Sequence, residues 1–193
     1  MSKKYILWGG LVLLALFIIN SVNSIPRLDE QVKAAWAQVE NQYQRRMDLI
    51  PNLVKTVKGY TAHESGTLQA VVEARANATK ATINVGDLNN PEAIARFEKA
   101  QGALSSALSR LIAVSENYPN LMADQNFLTL QSQLEGTENR IAVARRDYIE
   151  AVQQYNTTIR TFPGMLWAEH YGAKEKPTFT ATGGAEKAPE VQF

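Results

Sequence analysis

The sequence predicts an all-α protein: an N-terminal transmembrane helix followed by an elongated antiparallel bundle of three to four long helices. Three observations carry this. An uncharged apolar run occupies Tyr5 to Val22. Apolar residues then recur three and four apart over most of the remaining chain, the period of a helix with one buried face. Turn-forming residues gather between those stretches, in "HESGT", "VGDLNNP", "NYPNL" and "FPG".

The apolar run follows Lys3 and Lys4. Roughly 18 residues at ~1.5 Å each give about 27 Å, just enough to cross a ~30 Å hydrocarbon core. Tyr5 and Trp8 near one end suit the membrane interface. The competing reading is a cleaved signal peptide, with Val22 and Ser24 as small residues before a cut at Ile25. The run exceeds the ~7–15 residues of an ordinary signal core, and there is no A-x-A site, so a retained signal-anchor is the favoured reading. Lys3, Lys4 and the terminal amine place the N-terminus in the cytoplasm and the bundle on the periplasmic or extracellular side. Arg27 and Lys33 on the other flank weaken that bias and leave the cytoplasmic side open.

Beyond this single-pass anchor, residues 1–24, the chain divides into a helical bundle, 25–172, and a tail, 173–193. The first bundle stripe is Val32, Trp36, Val39, Tyr43, Met47, Ile50, Val54, Val57 and Tyr60. It lasts several heptads, as in a coiled coil or bundle. Gly66 is its expected loosening point, and helical composition resumes through "LQAVVEARANATKA". Asn90, Pro91 and Glu92 form a start signal: an N-cap, a proline at the first helical position and an acid at the positive end of the dipole. The second long helix then runs from Pro91 to about Asn117 with the stripe Ile94, Phe97, Gln101, Leu104, Leu108, Leu111 and Ser115. Pro119 closes it. A third starts near Asp124 and runs to about Thr161, with Phe127, Leu130, Leu134, Thr137, Ile141, Ala144, Tyr148, Val152, Tyr155 and Ile159 in phase. Pro163 and Gly164 end it. Met165 to Tyr171 is apolar and aromatic and is expected to pack on the bundle. From Ala173 the composition is that of a disordered tail.

Pro51 falls inside the first stripe. An interior proline removes one donor and clashes with the carbonyl of Met47, at a cost of ~3 kcal/mol in an ordinary helix. The stripe continues in phase on both sides, so the expectation is a kink in a continuous helix, with Asn52 or water serving the freed carbonyl. Arg45 and Arg46 precede it. They are echoed by Arg145 and Arg146, and an acid follows each pair, Asp48 and Asp147. The echo marks either one level at which antiparallel helices match charges, or solvated arginines in weak local pairs such as Arg45 with Asp48. Gly136 inside the third helix costs about 1 kcal/mol against Ala, which is either tolerated or repaid by a close backbone approach. A long first helix with a shorter second one would leave part of the first stripe uncovered, free to meet another copy or another protein.

The totals restrict function. A formal net charge of +1 over 193 residues argues against a nucleic-acid binder. Without cysteine there are no disulfides or thiolate metal sites, and two histidines leave little for a histidine site. His63 and Glu64 lack the second histidine of an H-E-x-x-H helix, so a surface or capping role is expected, and His170 is read as a packing residue. No phosphate loop, nucleophile elbow or carboxylate pair is visible, so no catalytic, cofactor or metal residues are assigned.

The anchor together with "WAQVENQYQRRMDLIPNLVKTVKGYTAHE", "VVEARA", "YPNL", "FLTLQSQLEGTENRIAVARRDY" and "AVQQYNTTIRTFP" resembles the LemA family, from the anchor to about Tyr171. The resemblance implies a single membrane anchor and an elongated antiparallel helical bundle, and it supplies no catalytic residues. It also implies a cytoplasmic bundle, opposite to the orientation read from Lys3 and Lys4. The expected function is a non-enzymatic, membrane-anchored scaffold or interaction protein of the bacterial inner membrane. Its expected partners are membrane lipid and either copies of itself or a membrane-protein partner. The alternative is a sensor or ligand-binding module, with Trp36, Tyr43, Tyr60, Tyr148 and Tyr155 lining a pocket between helices.

Overall fold

The computed structural model describes residues 3–61 and 64–179, with side chains described from Leu7 onward. The apolar run and the first bundle helix form one element. Helix α1 runs from Lys3 to Lys58, 56 residues, without interruption at Pro26 or Pro51. At ~1.5 Å per residue it is about 84 Å long. It ends at Lys58, ahead of Gly59. Gly66, the expected loosening point, instead lies in the first turn of α2. Helix α2 (Ser65–Lys80) returns along α1, and a short 3-10 turn (Val85–Asp87) leads to α3 (Pro91–Ser115). The single turn α4 (Pro119–Met122) precedes α5 (Gln125–Arg160), and a second short turn, α6 (Met165–Ala168), follows.

The cap residues explain two of these starts. The Asn90 side chain accepts from the backbone N–H groups of Glu92 at 2.9 Å and Ala93 at 3.3 Å. Asp124 accepts from Phe127 N–H at 2.9 Å, and its carboxyl also accepts from the Tyr60 hydroxyl at 2.7 Å. Each cap satisfies donors that a helix start leaves free.

Side-chain contacts set the register. Along α1, Tyr60 meets Asp124, Arg46 meets Glu138, Trp36 meets Tyr148 and Ser21 meets Trp167. Residue numbers fall on α1 as they rise through α5 and α6, so α5 is antiparallel to α1. Phe97 packs on Trp36 and Tyr43, and Tyr118 reaches Glu64, so α3 runs the same way as α1. The result is an up-down-up-down bundle with short connections.

This packing covers the α1 stripe. Val32, Trp36, Val39, Tyr43, Met47, Ile50 and Val57 are all buried within the chain, while Val54 is only half-buried and its neighbour Leu53, not expected in the stripe, takes the buried place. The expected uncovered stretch is therefore absent: α5, 36 residues long, together with α2 and α3, reaches the whole face. Tyr60 is the stripe member that stays exposed, because α1 has already ended.

The core has two parts. Toward the apolar end, Trp36, Phe97, Tyr148 and Phe179 meet at ring separations of 5.3–6.0 Å, and Tyr43 stands edge-on to Phe97 at 4.9 Å. Among the described residues these aromatics pack against one another in the core, while Tyr60, expected beside them, lies apart on an open groove with Asp124. Tyr155 joins the same cluster. At the far end Met47, Ile50, Leu53, Leu104, Leu111, Leu121 and Phe127 form a second cluster. Between the two lie the buried polar residues Arg46, Gln101 and Thr137.

Residues 173–179 lie on the bundle, although composition assigned them to a loose tail. The Asn156 amide brackets Lys176, donating to its carbonyl at 2.8 Å and accepting from its N–H at 2.9 Å. Tyr148 donates to the Pro177 carbonyl at 3.3 Å, and Phe179 is 7% exposed in the aromatic cluster. Two side-chain amide bonds and one buried ring thus order a segment whose composition alone favours disorder. The rest of the expected tail, and His63, lie outside the described residues.

Candidate functional site

The echoed arginines meet neighbouring helices at two successive levels of the bundle, and only one member of each pair takes part. Arg46 is 1% exposed. Its Nη1 donates to Ser105 Oγ and to Glu138 Oε1, both at 2.8 Å, and its Nη2 donates to the Gln101 side-chain oxygen. The guanidinium carbon also lies 4.9 Å from the Tyr43 ring centroid. A single side chain thereby ties α1 to α3 and α5. Arginine suits this place because its planar fork offers several fixed donors and keeps its charge when buried. Arg46 Nε and Gln101 Nε2 have no hydrogen-bond acceptor among the described residues.

About two helical turns along α5, Arg145 pairs with Glu98 of α3 at 2.9 Å and lies over the Phe179 ring at 4.3 Å. Tyr43 stands between the two arginines. Burial pushes its phenol above the usual range, while the charges of Arg145 and Arg46 pull against that shift. Burial alone pushes the Tyr148 phenol up to about 12. Both phenols therefore stay protonated near neutral pH.

The other expected residues lie apart from these levels. Arg45 is exposed. Asp48 accepts from Gln44 at 2.8 Å, so the expected Arg45–Asp48 pair gives way to a neighbour on the same helix. Arg146 is exposed and makes long pairs with Asp147 at 3.6 Å and Glu150 at 3.7 Å. A Cβ added at Gly136 would meet nothing within 4 Å, so no close backbone approach repays that glycine. Asn52 is exposed, and the carbonyl that Pro51 frees is served by another residue: Arg75 Nε donates to Met47 O at 3.0 Å. His170 is exposed and stands edge-on to Tyr171 at 5.4 Å, instead of packing in the core.

Sequence reasoning missed the partners: Glu98, Ser105 and Glu138 on the arginines, Arg75 at the proline, and Lys176. One signal was present. Gln101 and Thr137 occupy stripe positions on their helices, and a polar residue in an apolar stripe is a buried polar residue. Arg46 fits the same test, since it stands three after Tyr43 and four before Ile50.

Beside the Arg46 level, α3 and α5 leave an open groove of about 410 Å³. Leu108, Ile112 and Leu134 line its apolar part, and Glu116, Glu135 and Glu138 line its acidic part. Among the described residues, no three His, Cys, Asp or Glu side chains converge as metal ligands.

The N-terminal part of α1 has a different character. Every side chain from Leu7 to Asn20 is exposed. The helix contains an apolar segment of mean hydropathy 1.7, long and apolar enough to cross a membrane and scarcely covered by the rest of the protein.

Comparison with known proteins agrees with this architecture. The sequence model described as "LemA family" matches residues 35–193. Magnetosome protein MamQ 2 of Paramagnetospirillum magneticum is 27% identical over 187 residues, 83% of this chain and 67% of its own length. Magnetosome protein MamQ of Magnetospirillum gryphiswaldense is 26% identical over 162 residues, 76% of this chain and 60% of its own. Protein LemA of Metamycoplasma hominis is 22% identical over 144 residues, 75% of this chain and 62% of its own. The chain thus spans between 60% and 67% of the length of these relatives.

Proposed function

This chain belongs to the LemA family, and on that premise we propose that it is a non-enzymatic, membrane-anchored helical scaffold that holds an interaction surface rigidly at a bacterial inner membrane. The observation that carries the reading is the continuity of α1. One uninterrupted helix serves both as the apolar segment and as the central strut of the bundle. A helix stays straight through an interior proline where its neighbours brace it: beside Pro26, Ile25 is buried in the aromatic cluster and Ser21 is bonded to Trp167. At Pro51 the freed carbonyl of Met47 is taken up by Arg75. Neither the family nor these relatives carry an enzyme's name, and the charged groups of the site are locked in structural pairs.

The groove between α3 and α5 is the docking face of this scaffold. Its apolar floor and acidic rim fit a helix with an apolar stripe and basic flanks, in a second copy or in a membrane-protein partner. The bundle lies on the periplasmic or extracellular side, the orientation that Lys3 and Lys4 favour. Photo-crosslinkers placed at Ile112 and Gln131 in intact membranes test the docking face. Adducts with a second copy or a defined membrane protein are expected, and their absence at both positions would overturn the scaffold reading. Protease access to the chain in spheroplasts tests the orientation; protection of the bundle until lysis would reverse it.

A further inference from the structure

We propose that the corner between α5 and α6 is a second membrane contact, in which Phe162, Met165 and Leu166 enter the bilayer interface beside the anchor. This rests on the reading of α1 as a membrane anchor. Phe162, Met165 and Leu166 are 68%, 53% and 60% exposed, although the same corner partly buries Trp167. Three large apolar side chains grouped at one tip are not explained by packing within the chain.

Their position is fixed by one hydrogen bond. Trp167 Nε1 donates to Ser21 Oγ at 3.0 Å, which joins the corner to α1. Ser21 lies two residues beyond Ile19, the last of the exposed apolar residues of α1, or about 3 Å along the helix axis. The uncharged run from Tyr5 to Val22 is ~27 Å long against a ~30 Å hydrocarbon core, so the full run is needed to span it. The edge of the hydrocarbon therefore falls near Val22, at the level of the Trp167–Ser21 pair. An indole with an apolar body and one bonded N–H is suited to that depth. Side chains on the same turn as Trp167 must meet the headgroup and upper acyl region, which is the occupant their chemistry fits.

The corner is also built to stay folded. Gly164 packs so closely on α5 that a Cβ there would collide with the Thr158 carbonyl oxygen, so only glycine lets the chain turn back at this point. Arg160, two residues before Phe162, is paired with Glu175 at 3.4 Å. The contact is thus apolar in character, and it is expected in neutral and anionic lipid alike.

Single cysteines report on this directly, because the full chain has none of its own. Leu166→Cys, Met165→Cys, Leu14→Cys and Leu128→Cys, each labelled with an environment-sensitive fluorophore, are placed in phosphatidylcholine vesicles carrying spin-labelled lipids. The labels at 165 and 166 should shift to the blue and lose emission to shallow spin labels. The label at 14 should respond to deep ones and the label at 128 to neither. Quenching at 14 with none at 165 or 166 would overturn the corner contact while leaving the anchor intact. No quenching at 14 would overturn the anchor and the corner contact with it. Blue-shifted emission at 165 and 166, shielded from aqueous iodide yet unaffected by spin-labelled lipid, would assign the patch to a second copy and overturn the proposal.

Discussion

The Nε of Arg75 donates to the backbone carbonyl of Met47 at 3.0 Å, and that carbonyl is the one left without a helical partner by Pro51. The defect in one helix is therefore the attachment point of the next. Thr79, one turn further along α2, donates its hydroxyl to the Arg75 carbonyl at 2.9 Å and rests 3.4 Å from the Met47 sulfur. A proline that would otherwise weaken α1 fixes the position of α2 against it.

Removing Arg75 should expose this debt. Arg75→Leu is expected to destabilise the fold by about 1.5–3 kcal/mol, the range for a hydrogen bond from a charged donor. Pro51→Ala supplies a backbone N–H for Met47 O, so it should rescue part of that loss. In a double-mutant cycle read by urea unfolding, the two substitutions should couple by at least about 0.5 kcal/mol. Strict additivity would mean that Arg75 does not answer to the proline.

Arg46 should be far more sensitive than Arg45 or Arg146. Breaking a buried ion pair costs about 3–5 kcal/mol when the stranded partner stays dry. Here Glu138 is 42% exposed and can recruit water, so Arg46→Ala is expected near the lower end, about 3 kcal/mol. Arg46→Lys should recover little, because an ammonium cannot reproduce the fork that reaches Ser105, Gln101 and Glu138 together. Arg45→Ala and Arg146→Ala should stay within about 0.5 kcal/mol of the parent, as exposed residues do. Thermal unfolding of the four variants checks the ranking.

The helices and most of the core were legible in the sequence because a buried helix face leaves a period, and Asn90 leaves a capping signal. The apolar run before Ile25 was legible from length alone. The polar level was half legible: Gln101 and Thr137 break their stripes, but the stripe does not say which charge they face. What remained hidden depends on contacts distant in sequence. Arg75 serves a carbonyl 28 residues away, and Lys176 bonds Asn89, 87 residues away. The strap through Phe179 escaped notice because its order comes from its neighbours, while composition reports only on the segment itself. The exposure of Met165 and Leu166 was likewise hidden, since an apolar segment reads the same whether it faces a core or a bilayer.

Gly136 offers a stabilising substitution. It is exposed inside α5, and a Cβ there meets nothing within 4 Å. Gly136→Ala should raise stability by about 1 kcal/mol, from helix propensity and a less flexible unfolded chain. A rise in the denaturation midpoint without loss of crosslinking would place Gly136 outside every docking face. A loss of crosslinking with a stable fold would instead show that a partner approaches the α5 backbone there.

Acid should release the strap before it unfolds the bundle. Lys176 Nζ lies 2.9 Å from Asp29 Oδ1 and donates to Asn89 Oδ1 at 3.0 Å, with the Tyr155 ring 4.9 Å away. Burial pushes the Asp29 carboxyl up, but hydrogen bonds and charge from Lys33 and Lys176 outweigh it and hold the carboxyl below its ordinary value of 3.8. A carboxyl depressed in the folded state binds protons more readily once unfolded. Its contribution is therefore complete above the ordinary value and fades as pH falls through the lowered one. Neutralising Asp29 leaves the Lys176 ammonium, 7% exposed as a residue, without its countercharge, so the strap and not the helices should yield first. Hydrogen exchange at residues 173–179 should accelerate below about pH 4, relative to the slowing expected for free amides, while α1 and α5 stay protected. Asp29→Asn should produce the same local exchange at neutral pH, because it removes the charge and keeps the shape. Exchange in the strap that is unchanged in that variant would show that the Asn156 bracket and the Phe179 ring hold the segment without Lys176.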